Sequence, residues 1–177
     1  MKSQDILLLL KLSSLHKCKD FTADQYSVRS LAAITGISKT EIGASINRSI
    51  EVGLARHSHG LQRLEINNKA LLEFISYGIR YVFPAKPGPI VRGMITSFQA
   101  PGLEGLLTSM SEYVYVWPDA QSNDLGQEIL PLYKTAPFAA RNDVRLFQSL
   151  ALVDAIRIGG AREISIAKSE LKRRLQG

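Results

Sequence analysis

The side chains whose types and spacing suit recognition chemistry gather in one part of the chain: Ser38, Lys39, Thr40, Asn47 and Arg48, then Arg56, His57, His59 and Arg63. Arginine and asparagine carry forked donors that match the major-groove edges of bases, while lysine and further arginines neutralise phosphates. Arg48 is the residue expected to read a base directly, being long and bidentate. A serine capping a helix leaves that helix's first amides available to an anion, which is the role open to Ser38. Contact with a nucleic-acid duplex is what these types have in common.

Other groupings point elsewhere and are weaker. His57 and His59 lack a flanking acid or cysteine, so they read as residues beside a phosphate backbone rather than a catalytic or metal pair. His16 and Cys18 have no second cysteine–histidine pair at ligand spacing. Asp154, Arg157, Arg162 and Glu163 flank Gly159-Gly160 and read as a structural ion pair between two helices. Lys86 to Gly93, KPGPIVRG, offers cations and glycine to a phosphate, yet its prolines remove amide donors and favour a rigid turn. No nucleophile elbow, zincin, Walker or dinucleotide-binding pattern occurs. The sequence therefore predicts no enzyme, no cofactor and no metal.

Positioning the first set requires two helices and a hairpin. Ser27 caps a short helix with Val28, Leu31, Ala32 and Ile34 at helical spacing, and Gly36 ends it in a left-handed turn. Ser38 and Glu41 form an S-x-x-E capping box for a second helix with an Ile42, Ile46 and Ile50 stripe. Its opposite face is expected to carry Thr40, Ala44, Asn47, Arg48 and Glu51, small and polar enough to enter a major groove. Gly53 stops this helix. Leu54 to His57 and Gly60 to Ile66 then read as two strands about Ser58-His59-Gly60, a wing.

The stretch LAAITGISKTEIGASINRSIEVGLARH resembles the winged-helix core of the MarR-type bacterial transcription regulators, over roughly residues 3 to 77. That resemblance implies a sequence-specific regulator of double-stranded DNA, a repressor on a near-palindromic operator, acting as a homodimer. LYKTAP, DAIRIGGARE and the basic helix after them are similar to proteins that sit beside nucleotidyltransferase-type toxins and to the C-terminal part of AbiEi-like antitoxins. This second resemblance implies the alternative: an antitoxin-like protein whose C-terminal half binds a partner protein while the winged helix autoregulates the operon.

Elsewhere the chain predicts a first helix from Ser3 to about Lys17, apolar on more than one face, and a fourth helix capped by Asn67 or Asn68 that Gly78 ends. From Ile79 prolines and glycines break the pattern, with strands expected at Arg80 to Phe83, Ile90 to Arg92 and Tyr113 to Trp117. A polar loop to Gln127 and an extended piece at Leu130 to Tyr133 follow. Asn142-Asp143 caps a helix ended by Gly159, and a last helix from Ala161 carries Ile164, Leu171 and Leu175. The expected fold is α+β: a winged helix-turn-helix domain over 1–78 and a small mixed domain over 79–177 ending in a helical hairpin. The first and last helices are the expected dimer surfaces, the last one favoured.

The chain of 177 residues carries 22 lysines and arginines against 16 acids, a net +6, which favours an anionic partner. The excess divides evenly at Gly78, +3 to each side, so charge alone does not single out the first half. One cysteine excludes an internal disulfide, and the apolar run Ile6 to Leu10 is far shorter than a membrane span. A cytoplasmic protein without a membrane partner is expected.

Overall fold

A computed structural model describes residues 1–17, 23–58, 64–103, 105 and 113–177. The fold is mixed α+β, dominated by helices, with small sheets and a helical C-terminal region. Cys18, His59, Arg63 and the expected turn at the hairpin tip lie outside the described residues. Among the described residues no helix is long and apolar enough to cross a membrane.

Helix α1 (Ser3–His16) runs through the middle of the molecule. Ile6 to Leu10 and Leu12 are each 0–1% exposed, so the helix is covered on every side, as its all-round apolar pattern predicts. It packs on α3 (Lys39–Glu51), on the hairpin strand β2 (Leu64–Ile66) and on α7 (Val144–Ile158). Helix α7 is equally enclosed, with Leu146, Leu150 to Val153, Ala155 and Ile156 at 0–1%. These two central helices come from opposite sides of Gly78, and one continuous apolar core embeds both. The boundary expected at Gly78 is therefore no break in packing.

Caps set the helix ends. Ser27 accepts from the Ser30 amide at the start of α2 (Val28–Thr35), and Gly36 closes it at φ 68°. Only a residue without Cβ takes that angle freely, and an added Cβ would also press on Thr135 and Phe138 at 3.2 Å. Ser38 accepts from the Glu41 amide to start α3. Strand β1 (Ala55–His57) pairs antiparallel with β2, Ala55 opposite Ile66 and His57 opposite Leu64. Asn67 then caps α4 (Asn68–Tyr77).

Arg80 to Phe83 is not a strand. Gly78 keeps α-region angles (φ −106°, ψ −34°), so the chain goes straight on into α5 (Ile79–Val82), whose Ile79 is fully buried. Beyond it β3 (Ile90–Thr96) pairs antiparallel with both β4 (Tyr115–Pro118) and β5 (Asp124–Glu128), while β4 and β5 pair in parallel. The three strands close on themselves as a very small barrel. Such tight closure needs Gly93, where a Cβ would fall 2.0 Å from the Trp117 carbonyl oxygen. β5 replaces part of the expected polar loop. Leu130 to Tyr133 forms no strand, and α6 (Ala136–Arg141) follows, with Pro137 in its first turn, where a missing amide costs nothing.

Helices α7 and α8 (Ala161–Gln176) make the expected hairpin across Gly159-Gly160. Ala167, Leu171 and Leu175 are buried at 0–3%, and α8 lies against α4 as well as α7. The apolar residues of α1 and α8 expected to face a second subunit are thus largely consumed inside one chain.

Candidate nucleic-acid interface

The α2–turn–α3 unit puts Ser38, Lys39 and Thr40 at the exposed start of α3, and Asn47 exposed two turns further on. Ile42 is fully buried and Ile46 and Ile50 pack against the core, so the isoleucine stripe turns inward as its spacing demands. Between the polar residues lie Gly43 and Ala44, which leave the outer surface low. The hairpin projects Arg56 and His57 into solvent, and Arg56 makes a cross-strand pair with Glu65 at 2.9 Å. At 78% side-chain exposure this pair adds little stability and leaves the guanidinium open to a competing anion.

Arg48 is elsewhere, which corrects its expected position opposite the isoleucine stripe. Its guanidinium grips Asp5 of α1 bidentately, Nε to Oδ2 at 2.9 Å and Nη2 to Oδ1 at 2.7 Å. The Asp5 side chain is 0% exposed and Arg48 22%. A carboxylate enclosed among leucines needs a cation, and Arg48 is the long side chain that reaches it. The signal was present in the sequence: Asp5 is the one charged residue between Lys2 and Lys11 and stands directly before the apolar run ILLLL.

Burial drives the Asp5 carboxyl upward, but Arg48 and the Lys2 amide together hold it below its ordinary value. The Arg48 guanidinium is correspondingly raised, chiefly by its bond to Asp5. Glu41 belongs to the same cluster: its carboxylate accepts from Gln4 and from Arg48 and lies 3.6 Å from Lys2. Only the serine half of the capping box forms, because the glutamate is drawn to α1 instead. The whole network ties α3 to α1 and fixes the angle at which α3 presents its outer face.

A second polar network lies behind the small barrel. Asp154, fully buried, accepts from Thr96 Oγ1 at 2.9 Å, Trp117 Nε1 at 2.5 Å and Arg157 Nη1 at 2.7 Å. Arg157 also donates to the carbonyls of Phe83, Pro84 and Leu130. Burial raises the Asp154 carboxyl, against the opposing pull of these donors. The pair joins α7, the barrel and the proline-rich segment, and among the described residues neither Arg162 nor Glu163 bonds to it. Lys86 to Gly93 is likewise structural, since the Gly88 amide donates to the Glu128 carbonyl and Ile90 onward enters β3.

His16 packs its ring 5.2 Å from that of Tyr26. Among the described residues no three histidine, cysteine, aspartate or glutamate side chains converge on a metal-sized space. What the site offers chemically is a helix face with exposed polar tips, Lys39, Thr40 and Asn47, beside a hairpin that exposes Arg56 and His57. No family model matches the chain, and no curated protein or solved structure matches it significantly.

Proposed function

We propose that this protein is a sequence-specific, double-stranded-DNA-binding transcription regulator of the winged helix-turn-helix type. The observation that carries the reading is the outward face of α3, where Lys39, Thr40 and Asn47 are exposed around Gly43 and Ala44, beside a hairpin that raises Arg56 and His57. In this reading α3 enters the major groove, Asn47 reads a base edge, and Lys39 and Thr40 contact base or backbone. The Ser38 cap directs helix amides at a phosphate, and the hairpin follows the flanking backbone through Arg56 and His57. Arg48 positions α3 and does not read DNA.

One recognition helix contacts too few base pairs to select a site in a genome, so the regulator acts as a homodimer and repressor on a near-palindromic operator, its α3 helices about 34–36 Å apart. The direct test is Asn47→Ala on a selected operator. Specific affinity should fall by ~1–3 kcal/mol while binding to random duplex is unchanged; equal loss on both would remove Asn47 from base readout.

One observation favours the second reading, an antitoxin-like protein holding a partner protein through its C-terminal half. Tyr77, Tyr81 and Val82 on α4 and α5 are 72%, 78% and 52% exposed, an apolar patch met by the chain only at its cationic edges, where Lys168 Nζ lies 4.4 Å over the Tyr77 ring and Arg80 6.0 Å over the Tyr81 ring among the described residues. A photo-cross-linking residue at position 81 separates the readings. Cross-links to a second copy mark the patch as the dimer contact, and cross-links to one other protein support the interaction role.

A further inference from the structure

Although the basic excess divides evenly along the sequence, folding draws part of it into one cleft. Lys17 at the end of α1, Arg145 in the first turn of α7, and Arg173 and Arg174 in the last turn of α8 line a single concavity of about 250 Å³. No acidic side chain lines it among the described residues. Leu10 and Leu175 form an apolar floor and Ser13 and Ser149 supply hydroxyls at the wall.

We infer that this cleft binds a phosphate group, through Lys17, Arg145, Arg173 and Arg174. Three separate helices contribute the cations, so the cluster is not a by-product of one helix's solvated face. Arg173 and Arg174 sit at a helix C-terminus, where the dipole favours them, but Arg145 sits at the N-terminal end of α7, where it does not. Cations from three helices lining one cleft favour an anion there. Partial burial, then the charges of Arg145 and Arg173, hold the Lys17 ammonium below the ordinary lysine range.

Part of this charge is met by groups of the chain itself. Glu170 is shared between Arg173, at 2.7 and 2.9 Å, and Arg174, at 2.7 Å, while Arg174 also donates to Gln148. Lys17 donates to the Gly177 carbonyl at 2.6 Å. Asp143, close by through Ser14, is already committed to Lys11 at 2.7 Å. Arginine forks pair with tetrahedral oxyanions bidentately, and a cleft lined by one sign of charge concentrates the counter-charge. Phosphate, as a small phosphorylated ligand or as the backbone of a nucleic acid, is the chemistry that fits.

The cleft also stands at the base of the hairpin. Asn68, next after the Asn67 cap that ends the hairpin, donates to the Leu175 carbonyl at 2.9 Å and accepts from Ser13 at 3.1 Å. A duplex lying against the hairpin would therefore have its flanking backbone within reach. The site nevertheless stands independently of the reading of α3, because its first test contains no DNA.

That test titrates inorganic pyrophosphate into the full chain by calorimetry, with the triple variant Lys17→Gln/Arg145→Gln/Arg173→Gln as comparison. The wild type should bind one equivalent saturably, and the variant at least tenfold more weakly. Circular dichroism and thermal melting establish that the variant is folded, and Arg173→Gln alone serves if it is not, its side chain being 70% exposed. The salt dependence of binding to random duplex separates the sources. A slope shallower by roughly one unit per lost contact assigns the phosphate to the nucleic-acid backbone, whereas lost pyrophosphate binding with an unchanged slope assigns it to a free ligand. Equal pyrophosphate binding by wild type and variant, or none by either together with an unchanged slope, overturns the site. Loss of operator selection in Asn47→Ala leaves this result untouched, so the two readings fail separately.

Discussion

Replacing Arg48 with alanine separates a side chain that braces α3 from one that reads DNA. Its guanidinium donates to both oxygens of Asp5, at 2.9 and 2.7 Å. Removing one partner of a fully buried pair costs about 3–5 kcal/mol, because the other charge stays behind without compensation. Asp5 is fully shielded but Arg48 is 22% exposed, so water softens the loss to roughly 2–4 kcal/mol. That is a large part of the ~5–15 kcal/mol separating folded from unfolded in a typical domain. The pH dependence follows in sign. Since the folded Asp5 carboxyl lies below its ordinary 3.8, its contribution is present above that value and is lost as pH falls through the lower folded one. Urea unfolding followed by circular dichroism at neutral pH, and then stepwise into acid, should show Arg48→Ala less stable at neutral pH with a flatter acid limb. Asp5→Leu/Arg48→Met should recover much of the loss, short of the share due to the Lys2 amide that Asp5 accepts from. An Arg48→Ala variant within ~0.5 kcal/mol of wild type, yet selectively impaired on operator DNA, would refute the bracing role and return Arg48 to the interface.

Asp154→Ala leaves the Arg157 charge, the Trp117 N–H and the Thr96 hydroxyl without their acceptor; a loss of about 3–5 kcal/mol is expected in denaturant titration, with a changed Trp117 emission, and a loss under ~1 would mean water replaces the carboxylate. Gly93→Ala sets a Cβ 2.0 Å from a carbonyl oxygen and must open the β3–β4 pairing, so its melting temperature should drop by more than that of Gly43→Ala, whose Cβ would meet nothing within 4 Å. Ser97 holds a left-handed φ of 59° with its hydroxyl buried and no hydrogen-bond partner among the described residues. Strain relief in Ser97→Gly outweighs the added chain entropy, giving a gain of about 0.5–1 kcal/mol by thermal unfolding, and any destabilisation would contradict the strain assignment.

The elements legible in the sequence are those fixed by local chemistry. Ser27, Gly36, Ser38, Asn67 and Asp143 each act at the helix end their side chains suit, and the isoleucine stripe of α3 turns inward. What was not legible depends on partners distant in the chain. Isoleucine, tyrosine and valine in IRYV suggest a strand, yet burial of Ile79 and continuity from α4 make it helical. DLGQE reads as a loop because polar residues and a glycine outnumber its one apolar side chain, and pairing with β3 and β4, both outside the local pattern, makes it a strand. The candidate site divides in the same way: Lys39, Thr40 and Asn47 stand where helical periodicity puts them, whereas the position of Arg48 is dictated by an acid 43 residues away. The phosphate cleft is invisible in sequence, since its cations belong to three helices that meet only in the fold.

The most direct measurement of the central claim is selection of bound fragments from a library of genomic duplexes, run in parallel with wild type and Lys39→Ala/Asn47→Ala. Both substituted side chains are exposed, so the variant should melt with the wild type. The wild type should enrich one discrete inverted repeat, its half-sites about one helical turn apart. The variant should keep salt-sensitive binding to all fragments but lose the enrichment. Uniform recovery of fragments by the wild type, or the same repeat enriched equally by the variant, would contradict recognition through α3.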